Sequence, residues 1–541
     1  MARGSRTVAG PADRVVVIGA GLSGLAAALY LVAAGRQVTV LERDDRPGGR
    51  VGAYRGPDYE IDSGATILTL PELIDEALAV VGHTRESVGL RILDMAPAYR
   101  ARFADGSEIG VYSNEEDMAA EVERVRGPGA ARRYRRLRGW LKDVYEAEFR
   151  QFMDTNFDSP LDMVRIPEKR VALTRLVRLG AFGRLGPKVR RIVRDPDVAR
   201  LFSFQALFAG MAPNRALGVY GAIPYMDTCL GVTYPEGGMR AIAEALGRAF
   251  TAAGGTLELN AEVIGIEYAG KRATAVRTAD GRVFDCDAVV VTADIGSLSR
   301  FGLRRRIGLR ASPSAVVAHG TIPAAVAQSW PVQAHHTIDF GREWDRTFTE
   351  IAARRGRGQL MSDPSLLLTR PALTDPTLYI ERAEQHIDRD GHLRDTVRYE
   401  PLSLLAPCPN LDAAALAWEQ LGPHYLRELL AVLEDRGYQG ISRYFRIDHL
   451  DTPHTWRDRG MIAGTPFSAA HLFRQTGPFR TRNLVRGRAN VVLAGSGTVP
   501  GVGVPTVLLS GKLAAARLTG DPRHAGGESA HSGAVAPAPT P

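Results

Sequence analysis

An α/β fold built on a βαβ unit is predicted by three observations. The valines and isoleucine of residues 14–18 lead into Gly19-Ala20-Gly21-Leu22-Ser23-Gly24, then into small and aliphatic residues at helical spacing up to position 34. A second apolar strand at 37–41 ends on Glu42, completing strand, helix and strand with the right-handed crossover expected of a parallel pair. The 541 residues are 45% hydrophobic and 24% charged, the balance of a globular protein long enough for two or three domains. That composition excludes a disordered, collagen-like or small disulfide-stapled chain.

Residues 1–13 read as a loose leader. The run 14–18 reads as a short buried strand, 37–41 as the next strand, and 22–34 as the helix between them. From 72 to 231 the periodicity is mostly helical. The stretches 257–259, 262–268, 273–278 and 288–292 alternate as strands, with turns at Ala269-Gly270 and Asp280-Gly281. A long mixed section, 301–483, precedes a short strand at 491–493, a Gly/Pro loop and a helix at about 505–517. The tail, 519–541, is rich in Gly, Pro and Ala and nearly free of larger aliphatic residues, so it is expected to be disordered.

Residues 15–35 carry no charge over 21 positions, close to the length of a membrane span. Four glycines in a fixed pattern, and the strand that follows, favour the βαβ reading over a span or signal. Net charge is +8, unevenly spread. Residues 124–142 hold eight Lys/Arg and no acid; 165–194 hold ten and one acid, Glu168. These stretches carry +17 and leave the rest of the chain at −9, which implies a local anionic partner. No nucleic-acid-binding module accompanies the charge, so nucleic acid is not expected. Cys229, Cys286 and Cys408 lie far apart without a C-x-x-C pair, so neither a disulfide framework nor a metal site is indicated.

The chemistry begins at the first turn. Gly19 permits the tight bend, Gly21 lets a pyrophosphate approach the backbone, and Gly24 lets helix pack on strand. Ala20, Leu22 and Ser23 complete the cradle, which sits on the positive end of the helix. Glu42, eighteen residues past Gly24, is placed to accept from an adenosine ribose hydroxyl and disfavours a 2′-phosphate. The domain is therefore of Rossmann type and binds a dinucleotide. Arg46-Pro47-Gly48-Gly49-Arg50 follows; its glycine pair lets the backbone pass close to a cofactor, and Arg50 can reach the pyrophosphate or the far end.

That order of motifs resembles the flavoproteins with the fold of glutathione reductase and the amine oxidases, which implies FAD. With Tyr234-Pro235-Glu236-Gly237-Gly238-Met239, His335-His336-Thr337-Ile338, Leu405-Ala406-Pro407-Cys408-Pro409-Asn410 and Ala494-Gly495-Ser496-Gly497-Thr498-Val499-Pro500-Gly501-Val502-Gly503-Val504-Pro505, the chain from about Arg14 to Leu518 resembles the bacterial carotenoid desaturases.

The resemblance implies a discontinuous FAD-binding domain (14–75, 232–300 and 484–518) and an inserted α+β substrate domain (76–231 and 301–483). A basic, helical, membrane-facing lid spans about 124–195. It adds Arg43, Gly64, Ala65 and Val263, the last beside the adenine, to the cofactor residues. Gly495, Gly503 and Val504 are implied at the ribityl and flavin end. Asp162 aligns with a family acid and is the candidate catalytic residue, although Leu161 stands where an arginine is usual. His335 and His336 read as a packed, hydrogen-bonded pair.

The implied reaction is dehydrogenation of a carotenoid precursor such as phytoene, by hydride transfer to flavin N5. Ala65, Val499 and Thr506 depart from the family pattern and keep ketolation, saturation or isomerisation of a polyene open. Amine oxidation is disfavoured, since no aromatic residue occurs from Val491 onward. A prenyl-lipid carrier on the same fold is disfavoured by the intact dinucleotide fingerprint. Only one such fingerprint is present, so electrons are expected to pass to oxygen or a quinone rather than a nicotinamide. The implied location is cytoplasmic, on the inner face of the cell membrane, with the basic region on anionic lipid and side chains such as Leu179 and Phe182 entering it.

Overall fold

A computed structural model describes residues 5–304, 308–387 and 393–520. Five parallel strands form one sheet in the order Val491–Leu493, Ala288–Val291, Arg14–Ile18, Gln37–Leu41 and Thr256–Glu258. Alternation along the central strand sends Val15 and Val17 to one face and Val16 and Ile18 to the other. The first pair meets helices Leu22–Ala33 and Val504–Thr519. The second pair meets the antiparallel sheet of Val263–Ala269, Arg272–Thr278 and Val283–Asp285. Burial on both faces is why residues 15–18, 288–291 and 491–493 are apolar without interruption.

The two helices approach at backbone level. A methyl group on Gly511 would stand 2.3 Å from the Ser23 carbonyl oxygen and 2.8 Å from the Ala27 nitrogen. The terminal helix is thereby fixed on the helix that follows the first glycine turn.

A second, eight-stranded sheet joins Tyr99–Arg102 and Glu108–Val111 to strands between Ser314 and Asp451. Its long pair, Ser314–Pro323 and Leu393–Cys408, again divides by alternation. Val316, Ala318, Leu402, Leu404 and Ala406 pack under helix Trp418–Asp435. Ala315, Val317, His319, Ser403 and Leu405 face the other way, into a cavity. The hairpin at 99–111 lies in a section read as helical; each of its strands has four residues, too few to override the helical pattern around it. Helices Glu115–Arg126, Ala130–Glu148, Pro167–Arg178 and Leu185–Val193 occupy much of the remainder of that section.

Two further expectations are corrected. The leader is tied down over its described part: Val8 N–H donates to the Arg517 carbonyl (2.8 Å), and buried Arg517 donates to the Arg6 carbonyl (2.7 Å). Residues 1–4 and the tail beyond 520 lie outside the described residues. Much of the basic charge is matched locally, as Arg175 pairs with Asp143 (2.6 Å) and Glu146 (3.0 Å) and Arg135 with Glu116 (2.5 Å). Arg138 pairs with Glu115, Arg190 with Asp345, and Lys188 sits over the Trp140 ring. Leu179 and Phe182 are half-buried, and Phe182 faces the cavity. The exposed apolar side chains of this region are Leu161, Val164, Val171 and Val177. Among the described residues no helix is long and apolar enough to cross a membrane.

The helix contact gives a test of sign. Helix propensity alone makes Gly→Ala stabilising by about 1 kcal/mol. Overpacking against the Ser23 carbonyl costs about 1–3 kcal/mol, so Gly511→Ala should lower the thermal midpoint followed by circular dichroism. A raised midpoint would mean the two helices are not in backbone contact.

Candidate active site

One continuous cavity of about 1580 Å³ runs from the carboxyl edge of the parallel sheet to the face of the eight-stranded sheet. Single-ligand pockets are usually about 300–1,000 Å³, so this space exceeds one small molecule. Ile18, Gly19, Leu41, Glu42, Thr292 and Gly495, each at or just past a strand end, form its floor. Bare strand ends at the point where chain direction reverses are where open α/β sheets bind ligands.

The glycines of the first turn have separate tasks. Gly19 adopts φ +104°. A Cβ on Gly24 would lie 1.9 Å from the Gly19 carbonyl oxygen, so Gly24 serves the protein's own packing. A Cβ on Gly21 would meet no atom nearer than 3.9 Å and would occupy the cavity instead. Helix Leu22–Ala33 starts at Gly21 with no side-chain cap and no acid in its first turn, leaving its positive end to the cavity. The second glycine pair is pressed onto this turn. Gly48 N–H donates to the Ala20 carbonyl (3.1 Å), and Gly49, at φ +59°, would bring a Cβ to 3.3 Å from Gly21 Cα. Buried Glu42 accepts from the Ala20 (2.7 Å) and Asp44 (3.1 Å) amides. Burial holds its carboxyl above the usual range, and the two amides oppose that. Arg43 and Val263 line the same end.

Toward the other end, Arg50 donates to Asp294 and to Ser496, each at 2.5 Å. A Cβ on Gly64 would lie 2.0 Å from the Arg50 carbonyl oxygen, to which the Ala65 amide donates (3.2 Å). Gly495 (φ +104°) and Gly503 (φ +127°) bound the Gly/Pro loop. Gly503 caps helix Val504–Thr519 without a side-chain bond, and Val504 and Pro505 line the cavity. The residues read as cofactor-binding thus line one wall, except Ala20 and Gly24, whose backbones shape the turn.

Sequence reasoning missed Arg480. It is buried and, among the described residues, makes no ion pair. Its guanidinium donates to the carbonyls of Thr498 (2.8 Å) and Ser496 (2.5 Å), and more distantly to those of Ala469 and Gln475. Burial lowers its pKa to about 10, which leaves it charged at neutral pH. It fixes the 495–498 loop and places positive potential beneath it. No local motif marks Arg480; only burial without a carboxylate does.

The remaining wall is carbon-lined, with Leu176, Phe182, Phe204, Phe208 and Met226, and Phe473 and Phe479 lie partly exposed at its margin. His336 hydrogen-bonds Thr66 and His335 hydrogen-bonds Thr374, each at 2.8 Å, with the two rings 4.5 Å apart. Asp162 is corrected. It does not line the cavity; its Oδ2 accepts from the Asp158 (2.8 Å) and Ser159 (2.9 Å) amides and closes the loop before a short helix.

The profile of the flavin containing amine oxidoreductases matches residues 22–360 and 424–519. The chain is 49% identical to phytoene dehydrogenase of Streptomyces griseus, over 95% of this chain and 96% of that protein. It is 31% identical to the neurosporene-forming phytoene desaturase of Rhodobacter capsulatus, over 94% of each. A solved structure of putrescine oxidase with putrescine bound is similar at TM-score 0.54 and 14% identity, over 93% of this chain and 98% of that one. Cyclohexylamine oxidase from Brevibacterium oxydans is similar at TM-score 0.53 and 14% identity, over 94% and 99%. Both establish the fold.

The residues fit FAD: an uncapped helix start, a glycine whose missing Cβ leaves open space, and a buried acid at the second strand end. Gly21→Val should leave the fold intact and abolish flavin copurification, read as loss of the yellow absorbance. A folded variant with full flavin absorbance would show the cofactor lies elsewhere.

Proposed function

The chain belongs to the flavin-containing amine oxidoreductase family, among its bacterial carotenoid desaturases, and we propose that it dehydrogenates a carotenoid precursor such as phytoene. The observation that carries this reading is the continuity of the cavity: a carbon-lined space leads directly onto the wall that fits FAD. When bound, FAD supplies the hydride acceptor. The protein excludes water, holds the chain of the substrate, and sets positive potential where negative charge gathers. Arg480 and the uncapped start of helix Val504–Thr519 provide that potential. With one dinucleotide fingerprint in the chain, the electrons leave to oxygen or a membrane quinone rather than to a nicotinamide.

Such a substrate is dissolved in lipid. We place the docking surface on the segment 161–178, whose inner side chains Met163, Leu173 and Leu176 line the cavity. Its outer side exposes Leu161, Val164, Val171 and Val177. Arg165, Arg170 and Arg178 on the same segment are exposed and make no ion pair among the described residues. They are better candidates for anionic lipid at the inner face of the membrane than the paired Arg175 and Arg190. Each exposed cation near such a surface contributes about 1 kcal/mol, weakened by salt.

Expression in a host that accumulates phytoene should yield products with a longer conjugated chromophore, identified by chromatography. Unchanged phytoene, or a ketolated or isomerised product without added double bonds, would overturn the reading. Val171→Glu with Val177→Glu should reduce sedimentation with anionic liposomes at unchanged flavin content. Undiminished pelleting would move the docking surface elsewhere.

A further inference from the structure

Dehydrogenation removes two hydrogens from neighbouring carbons. One departs as hydride with its electron pair, to the flavin. The other must depart as a proton, and the electron pair of its C–H bond becomes the second bond of the new C=C. Water is the usual acceptor for such a proton, and a carbon-lined cavity holds little of it.

Glu148, the last residue of helix Ala130–Glu148, lines this cavity. Its Oε2 is sealed from solvent and has no hydrogen-bond partner in the described structure. A buried carboxyl oxygen without a donor is costly and calls for an explanation. The other buried carboxyl on this wall, Asp227, is already engaged, accepting from Gln205 Nε2 at 3.0 Å. Tyr220, which interacts with Glu148 electrostatically, is 2.5 Å from Thr476 Oγ1. Thr476 in turn shares its proton between the Leu472 (2.8 Å) and His471 (3.0 Å) carbonyls, and the His471 ring fills the space a Cβ on Gly501 would need. From Tyr220 the contacts therefore run to Gly501, in the Gly/Pro loop whose start Arg480 holds.

We propose that Glu148 is the proton acceptor of the dehydrogenation: its carboxylate takes the proton from the carbon next to the one that loses hydride, forming the O–H bond of the neutral acid, and returns it to solvent before the next turnover. This rests on the reading of the reaction given above. Burial raises the pKa of Glu148 to about 8, so its carboxylate is a stronger base than an exposed glutamate and its ionised fraction grows with pH. Of the charged groups on the elements packed around it, Arg150 is exposed and Lys169 lies over the Phe157 ring and donates to the Asn156 carbonyl. Arg480 lies behind Tyr220 on backbone carbonyls, Lys512 pairs with Glu76 and Asp154, and Arg175 pairs with Asp143 and Glu146. His471 is kept neutral by burial.

The test compares the parent holoenzyme with Glu148→Gln and Glu148→Asp on phytoene in liposomes, measuring flavin content, KM, kcat and the pH dependence of kcat/KM. For the parent, kcat/KM should rise with pH through the mildly alkaline range. A positioned base contributes about 10²–10⁴-fold, so Glu148→Gln should lose at least that lower factor in kcat, with flavin content and KM near the parent's and the pH rise abolished. Glu148→Asp should recover part of kcat, with the rise displaced along the pH axis. Glu148→Gln turning over within about threefold of the parent, or keeping the parent's pH profile, would overturn the assignment. If Glu148→Gln fails to retain flavin, Glu148→Asp decides: a profile superimposable on the parent's overturns it. A parent enzyme that forms no dehydrogenated product fails the functional reading instead.

Discussion

The rest of the site depends on a contact between two backbones. Gly21 and Gly48–Gly49 touch with no side chain between them, the Gly48 amide bonded to the Ala20 carbonyl and the Gly49 Cα region against Gly21. Because nothing projects there, the carboxyl edge of the parallel sheet stays bare, and the positive start of helix Leu22–Ala33 opens onto it. The terminal helix can lie against the first helix only because Gly511 admits the Ser23 carbonyl. Its own start then falls at the opposite end of the same cavity, so two helix dipoles converge on one elongated site.

Charge in this site is set by burial more than by ion pairing. Arg480 keeps its charge on carbonyl oxygens alone, and its pKa falls only to about 10. A carboxylate partner would cancel the potential that the loop presents to the cavity; carbonyls stabilise the cation without cancelling it. Glu42 presents the reverse problem, a buried carboxyl pushed up by burial and opposed in that by two backbone amides. Glu148 has neither solution, and the result is a carboxyl that holds its proton to about pH 8. The three groups differ in what surrounds them, and that difference separates the work each can do.

The parallel sheet was legible because its information is local. Residues 15–18 and 491–493 are buried on both faces as unbroken apolar runs, and Gln37–Leu41 carries buried Val38, Val40 and Leu41. The strands at 99–111 were not, because four residues of alternation are lost among longer helices and their partner strand, His336–Asp339, is far away in sequence. The same limit applied at the site. The turn residues and Glu42 declare themselves by spacing, whereas Arg480 and Glu148 are distinguished only by the partners they lack, which no sequence window contains. Asp162 illustrates the converse: a resemblance places a residue type at a position without fixing which way the side chain faces, and here it faces its own loop.

Helical spacing also conceals which face of a helix meets water. The segment 161–178 has apolar residues on two sides, Met163, Leu173 and Leu176 toward the cavity and Leu161, Val164, Val171 and Val177 outward. A helix between core and solvent needs only one such side, with polar residues opposite. Two apolar sides bordered by Arg165, Arg170 and Arg178, which have no ion pair among the described residues, fit an element whose outer environment is also apolar and whose boundary is anionic. On the docking proposed above, the segment would be a partition between two hydrocarbon phases, the bilayer and the cavity. A polyene can cross such a partition without exposing its length to water, because the apolar surface it leaves in one phase is matched by the surface it meets in the other.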